Sequence, residues 1–312
     1  MMSEGILKLD TTECYDFEDS LLYIHNLIRY NNSALTLNSS NIASLLTTQA
    51  YHSSSHSLLL PSYQNIALPR NNFNLNNYYL TFWAMTNSWG SVYVGAIQDV
   101  NRYSQTYRHI QETALIHPRQ WQRIVVPLTS CTSAENHLIL TANNTLFIDD
   151  ISIRSCAIAD VHVAHLSSTT ASLAWNSYGD PDSYRVEYGP ENFAIGHGTA
   201  ITATTNQITL HNLSSATTYD VYVSSICSTA DSCNPLHIRF TTYCDTIGLP
   251  VICEHFDDFE SYTIPTCWQA FSNVAGFPCS DQNIYFSPTH SMHFYASNPN
   301  NSHAYYNYLL PP

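Results

Sequence analysis

Acidic residues stand in adjacent pairs at three suggestive places in the 312-residue chain: Glu18-Asp19 in CYDFEDS, Asp149-Asp150 in LFIDDISI and Asp257-Asp258 in CEHFDDF. Paired carboxylates can hold a divalent cation or, at a suitable separation, act as acid and base in glycoside hydrolysis. The second pair interrupts an apolar run. Read as a strand, LFIDDISI puts Phe147, Asp149, Ile151 and Ile153 on one face and Ile148, Asp150 and Ser152 on the other. A carboxylate on an apolar face must be protonated, hydrogen-bonded, paired or metal-bound, because an isolated buried charge is prohibitively costly. Basic partners are scarce: Lys8 is the only lysine, and Lys and Arg together number 10.

Catalytic constellations are missing from the sequence. It contains no HExxH, no GxSxG and no glycine-rich phosphate loop. Cys253 and His255 are too close along the chain to make a thiol protease, whose partners come from distant segments. One acid of each pair is expected to be tied to structure, which argues against a glycosidase, and the 15 histidines are scattered. The expectation is a non-enzymatic chain. For binding, Trp89 in NSWGS is the best exposed aromatic, with Tyr103 and Tyr107 in the loop-like stretch that follows. Such rings can stack on a sugar, the alternative being loop aromatics covered by their own loop. Trp83 and Trp121 stand in apolar period-two runs and are expected in the core; no Arg-Gly-Asp tripeptide is present.

Composition narrows the partners. Only 11% of residues are charged and the formal net charge is −14, which disfavours nucleic acid and anionic membrane, both of which need basic patches. No apolar run reaches the roughly 20 residues of a membrane span, and MMSEGILKLD lacks the basic and apolar parts of a signal peptide. The nine cysteines, at 14, 131, 156, 227, 233, 244, 253, 267 and 279, show no CxxC pairing and suit disulfides in an extracellular or cell-surface protein, the alternative being reduced cytosolic thiols.

The elements that must position these residues are strands. Leu80-Thr81-Phe82-Trp83, Ser91-Val92-Tyr93-Val94 and Tyr184-Arg185-Val186-Glu187-Tyr188 alternate with period two, and only LLYIHNLIRY at 21–30 offers a helical pattern, with strand or loop equally open there. The chain reads as all-β. A phrase also recurs: CYDFEDS answers CEHFDDF, SSSHSLLL at 53–60 answers SPTHSMHF at 287–294, and IALP at 66–69 answers YLLP at 308–311, in the same order. This points to a repeated module whose second copy stops early, leaving unpaired strand edges in 251–312.

Residues 157–243 carry ASLAWNS, YRVEYGP, LHNLSSATTYDVYVSSIC and IRFTT, and resemble a fibronectin type III domain. The resemblance rests on Trp175 and on Leu213 with Tyr219 six residues on; it implies that the Tyr219 hydroxyl bonds back to upstream backbone and that Val221 and Val223 point inward. Residues 1–156 run from Phe-Glu-Asp through Leu-Thr-Phe-Trp, Val-Gly and Trp-Gln to Ile-Asp-Asp-Ile, and resemble the jelly-roll cleaved-adhesin and MAM modules of secreted Bacteroidetes-type surface proteins; 251–312 resemble them more weakly, as a truncated copy. Unlike the second copy, with Cys267-Trp268, the first has no tryptophan near its start.

In such jelly rolls the first and last strands are neighbours. The resemblance therefore implies that Glu18 and Asp19 meet Asp149 and Asp150 in a structural Ca2+ site, with a hydrogen-bonded or solvated acidic strand end as the alternative. It also implies a Cys14–Cys156 bridge, leaving Cys253 without a partner or joined to Cys244; Cys227–Cys233 and Cys267–Cys279 are candidate local pairs, and Cys131 has no assigned partner. The expected protein is a secreted, multi-module binder of carbohydrate or protein, or else the accessory region of a secreted protease or glycosidase whose catalytic domain lies outside this chain. A purely structural spacer is the third reading.

Overall fold

The computed structural model describes residues 14–18, 28–31, 34–35, 45–53, 55–69, 75–98, 106–227 and 235–245, together with four short strands between 269 and 310. It is nearly all β, as the alternation predicts. Two compact units divide the chain: Met1–His162 with Leu173–Ile208 and Asp220–Ile238, and Val163–Ser172 with Thr209–Tyr219 and Arg239–Pro312.

Twelve strands build the N-terminal sandwich: β1 (Cys14–Tyr15), β2 (Ile28–Asn31), β3 (Ala34–Leu35), β4 (Leu46–Thr47), β5 (Ser57–Leu60), β6 (Asn65–Pro69), β7 (Tyr79–Thr86), β8 (Gly90–Ile97), β9 (Arg108–Leu115), β10 (Gln122–Pro127), β11 (His137–Ala142) and β12 (Leu146–Arg154). Residues 28–30 of LLYIHNLIRY thus fall in a strand; residues 21–27 lie outside the described residues. One sheet runs β10-β7-β12-β5-β4 with β1 also on β12, the other β3-β2-β6-β11-β8-β9. From β5 to β8 and again from β9 to β12 successive strands alternate between the layers, and the core fills with alternate residues from each sheet. Leu80, Phe82 and Ala84 of β7, Ile124 and Val126 of β10 and four residues of β12 meet Val92, Val94 and Ala96 of β8 and Leu138, Leu140 and Ala142 of β11. Each fully buried aliphatic side chain contributes about 1.5–3 kcal/mol.

β12 departs from strict alternation. Its register on β7 slips between Asp149, opposite Trp83, and Ser152, opposite Thr81, and Asp150 has φ +49°. This β-bulge moves every later side chain to the other face. Leu146 and Ile148 point into the core before it, Ile151 and Ile153 after it. The expected grouping of Phe147 and Asp149 with Ile151 and Ile153 is therefore corrected, because one extra residue resets the phase.

A second sandwich follows without a linker: β13 (Ala157–Leu166), β14 (Ala171–Tyr178), β15 (Ser183–Pro190), β16 (Thr199–Ala203), β17 (Gln207–Leu210), β18 (Thr218–Ile226) and β19 (Leu236–Thr241). Its sheets run β13-β14-β17 and β16-β15-β18-β19. Trp175 is buried with its ring edge-on to Tyr184, and Val221 and Val223 are fully buried. The Tyr219 hydroxyl accepts a hydrogen bond from the Ser214 N–H at 2.9 Å, the corner the sequence implies. Beyond it, β20 (Gln269–Ser272) pairs with β23 (Asn307–Leu310), and β21 (Cys279–Asp281) with β22 (Ser291–His293).

Within the first unit, Val125, Ala157 and Ala159 pack with Tyr79 and Tyr178. A disulfide joins Cys156, between β12 and β13, to Cys227 at the end of β18. This corrects both the Cys14–Cys156 and the Cys227–Cys233 expectations: a cysteine following the last strand of one sandwich is also the entry to the next, and the fold brings the end of β18 there. Cys14 and Cys244 are disulfide-bonded as well. Gly179, at φ +73°, lies so close that an added Cβ would stand 2.5 Å from the Ser155 carbonyl oxygen, which only glycine tolerates.

Candidate functional site

Three of the paired acids, Glu18, Asp149 and Asp150, converge on residues 52, 53, 55 and 56, which lead into β5, while Asp257 and Asp258 lie outside the described residues. Along its edge, β12 changes partners: β5 covers Leu146–Ile148 and β1 covers Ile151–Ser152. Asp149 and Asp150 fall in the interval, both buried. Asp149 Oδ2 accepts the His52 and Ser53 N–H groups at 2.8 and 3.1 Å, and its Oδ1 accepts the Asp150 N–H at 2.8 Å. Asp150 Oδ1 accepts the Ser53 hydroxyl, and its Oδ2 lies 2.7 Å from His52 Nδ1. Burial, and then the neighbouring Asp150 charge, push the Asp149 carboxyl up to about 7 against these N–H donors.

Glu18 caps the far end of the same segment. Its Oε1 accepts the Ser55 and His56 N–H groups at 2.7 and 2.8 Å, and its Oε2 accepts the Ser55 hydroxyl at 2.7 Å. Burial opposes ionisation of Glu18, but the hydrogen bonds from Ser55 and His56 outweigh it and bring the carboxyl down to about 2. Glu18, Asp149 and Asp150 thus converge on one segment, while Asp19 lies outside the described residues. Among the described residues, no group of three or more His, Cys, Asp or Glu side chains gathers closely enough to hold a metal. The donor chemistry suits a hard cation, and Asp149 Oδ1 and both Asp150 oxygens each accept a single hydrogen bond, whereas both Glu18 oxygens already face two donors.

Trp83 and Trp121 are not core residues. Leu80, Phe82 and Ala84 of β7 face inward, which turns Trp83 outward, where His52 stacks on it with ring centroids 3.9 Å apart. Trp121 meets the same imidazole edge-on at 5.8 Å. Both faces of β7 are apolar, so alternation could not say which meets the second sheet. His52 and Ser53 were missed because nothing local marks a loop residue that will cover a sheet.

Trp89 is 70% exposed in the turn between β7 and β8. The turn is anchored: Asn144 Nδ2 donates to Ser88 Oγ at 2.6 Å and to the Trp89 carbonyl at 3.2 Å. Neighbouring turns gather at this end, the Tyr63 N–H donating to the Ala142 carbonyl and the Arg119 N–H to the Thr86 carbonyl, both at 2.7 Å. Tyr63, equally exposed, was not singled out by the sequence. Tyr107 sits elsewhere, half-buried against Ala67, Ile97 and Ile139, where a Cβ on Gly95 would strike its ring. Gly95 is five residues along β8 from Gly90, about 17 Å at strand rise, so Tyr107 does not share a platform with Trp89. Tyr103 lies outside the described residues.

Among the described residues, no helix is long and apolar enough to cross a membrane. A search among curated proteins finds no match to the chain. Solved structures similar to it include the fn3 domain of human contactin 1, at 21% identity over 30% of this chain and 83% of that one with a TM-score of 0.28. Another is the fn3 domain of human collagen alpha-1(XX) chain, at 21% identity over 30% of this chain and 90% of that one with a TM-score of 0.27. The fibronectin type III domain family matches residues 157–236. With the two sheets, the buried Trp175 and the Tyr219 corner already in place, residues 157–236 are a fibronectin type III domain.

Proposed function

We propose that the chain is a non-catalytic extracellular binding protein, in which an N-terminal jelly-roll module engages carbohydrate or protein through its loop end. The observation that carries this reading is Trp89, a large aromatic held out to solvent on a turn pinned by Asn144. An exposed indole on an anchored turn offers contact area at little entropic cost. The fibronectin type III domain and the disulfide suit an extracellular setting. A glycan array probed with the whole chain tests it: reproducible binding lost in Trp89→Ala supports a lectin, and silence together with unaltered cell attachment by Trp89→Ala removes the reading. The serial sandwiches also suit an accessory region beside a catalytic domain, which the flanking coding sequence would reveal.

Ca2+ braces the N-terminal module in this reading, held by Asp149 and Asp150 with Glu18 and Asp19 alongside. Bound there, it would offset the repulsion between the adjacent carboxylates. Extracellular modules bind calcium at about 10⁻⁴–10⁻³ M, so tenfold saturation stabilises by only about 1.4 kcal/mol. Thermal melts should rise by a few degrees with millimolar calcium over chelator in the parent chain and not in Asp149→Asn. Superimposable parent curves would end the proposal.

A further inference from the structure

Away from Trp89, the first compact unit encloses a cleft of about 530 Å³ between the outward side of β10 and strands β13, β14 and β19. That volume is in the range of small-molecule sites, about 300–1,000 Å³. One wall carries Trp83, Trp121 and Arg123, the other Asp160, Asn176 and Tyr178. Aromatic faces, one cation, one anion and an amide make a surface with no dominant charge. It suits a ligand that is apolar on its flat faces and rich in hydroxyls at its rim.

The walls are set before any ligand arrives. His52, itself gripped by Asp150, stacks on Trp83 at an interplanar angle of 16° and meets Trp121 edge-on, and the Arg123 guanidinium lies 5.7 Å over the Trp83 ring. On the other wall Asp160 has φ +55°, a left-handed conformation that side chains other than glycine adopt sparingly and that concentrates at functional sites. Its carboxylate is 68% exposed, lies 4.0 Å from His162 Nδ1 and meets Asn176 Nδ2 only at 3.4 Å, long contacts that leave Asp160 and Asn176 able to bind hydroxyls.

We infer that this cleft is a saccharide site that takes a neutral disaccharide, one ring laid on Trp121 and its hydroxyls bonded by Asp160 and Asn176. The inference rests on the chain being a binding protein but is independent of Trp89. An extended peptide along the open edges of β10 and β19 is the rival occupant. The whole chain would be titrated by calorimetry with cellobiose, lactose, mannobiose and N,N′-diacetylchitobiose, and with an uncharged alternating hexapeptide. At least one disaccharide should bind saturably, and at least tenfold more weakly to Trp121→Ala and to the exposed-site variant Asn176→Ala; circular dichroism checks that the variants are folded. Binding abolished by Trp89→Ala but unaffected by both cleft variants overturns the cleft and keeps the loop-end reading. Binding of the hexapeptide alone, weakened by the cleft variants, overturns the saccharide assignment. No binding to the parent chain overturns it as well, and with a silent glycan array and cell attachment unaltered by Trp89→Ala the binding reading falls too.

Discussion

Buried carboxylates in this chain organise loops, and Glu187 shows how. On β15, it is buried and its Oε1 accepts the Gly196 and Gly198 N–H groups at 2.6 and 3.0 Å while Arg185 Nη2 donates to Oε2 at 3.1 Å. Burial opposes the charge, but the hydrogen bonds from Gly198, Arg185 and Gly196 outweigh it, and the carboxyl titrates below its ordinary value of 4.5. A lowered carboxylate adds stability that is complete above the unfolded value and is lost as pH falls through the folded one. Glu187→Gln should therefore cost about 1.5–3 kcal/mol at pH 7, the range for hydrogen bonds to a charged group. The gap from the parent, read from urea melts, should narrow as pH falls below the ordinary value of 4.5 and close below the lowered folded one; a gap independent of pH would show that packing and not charge holds the 190–198 loop. None of this was visible beforehand, since Glu187 occupies an ordinary position in an alternating strand.

At the scale of the element, the β12 bulge is the decisive feature. An inserted residue lets four aliphatic residues face the core while Asp149 and Ser152 face away from it. Inserting an alanine after Asp150 would shift the phase once more and turn Ser152 and Arg154 inward in place of Ile151 and Ile153. That insertion should abolish cooperative unfolding of the N-terminal sandwich. Asp150→Gly, which keeps the residue count and accepts φ +49°, should fold with a lowered melting temperature through loss of the Ser53 and His52 contacts. Equal stability of the two variants would deny the bulge its role. The strand itself was legible in LFIDDISI because β-branched and aromatic residues are enriched there. The bulge was not, because a classical alternation and a slipped one differ only in which partner strands lie alongside.

For the whole molecule, the Cys156–Cys227 bridge links positions 71 residues apart. On loop-closure entropy such a crosslink is worth up to about 4 kcal/mol. Cys227→Ser should lower the urea midpoint accordingly, and reductant should then change the variant less than the parent; an unchanged midpoint would mean that the packing of Val125, Ala157 and Ala159 already holds the junction. What the sequence by itself determined is what repeats locally: the period-two strands, the Trp175–Tyr219 pattern of the fibronectin type III domain and the acidic phrases near Glu18 and Asp149. What only tertiary structure decided is which face of β7 turned Trp83 outward, which cysteine met Cys156, and that His52 and Ser53 would settle on Asp149 and Asp150. Strand propensity acts over two residues, whereas these pairings join positions tens of residues apart and are set by how the sheets stack.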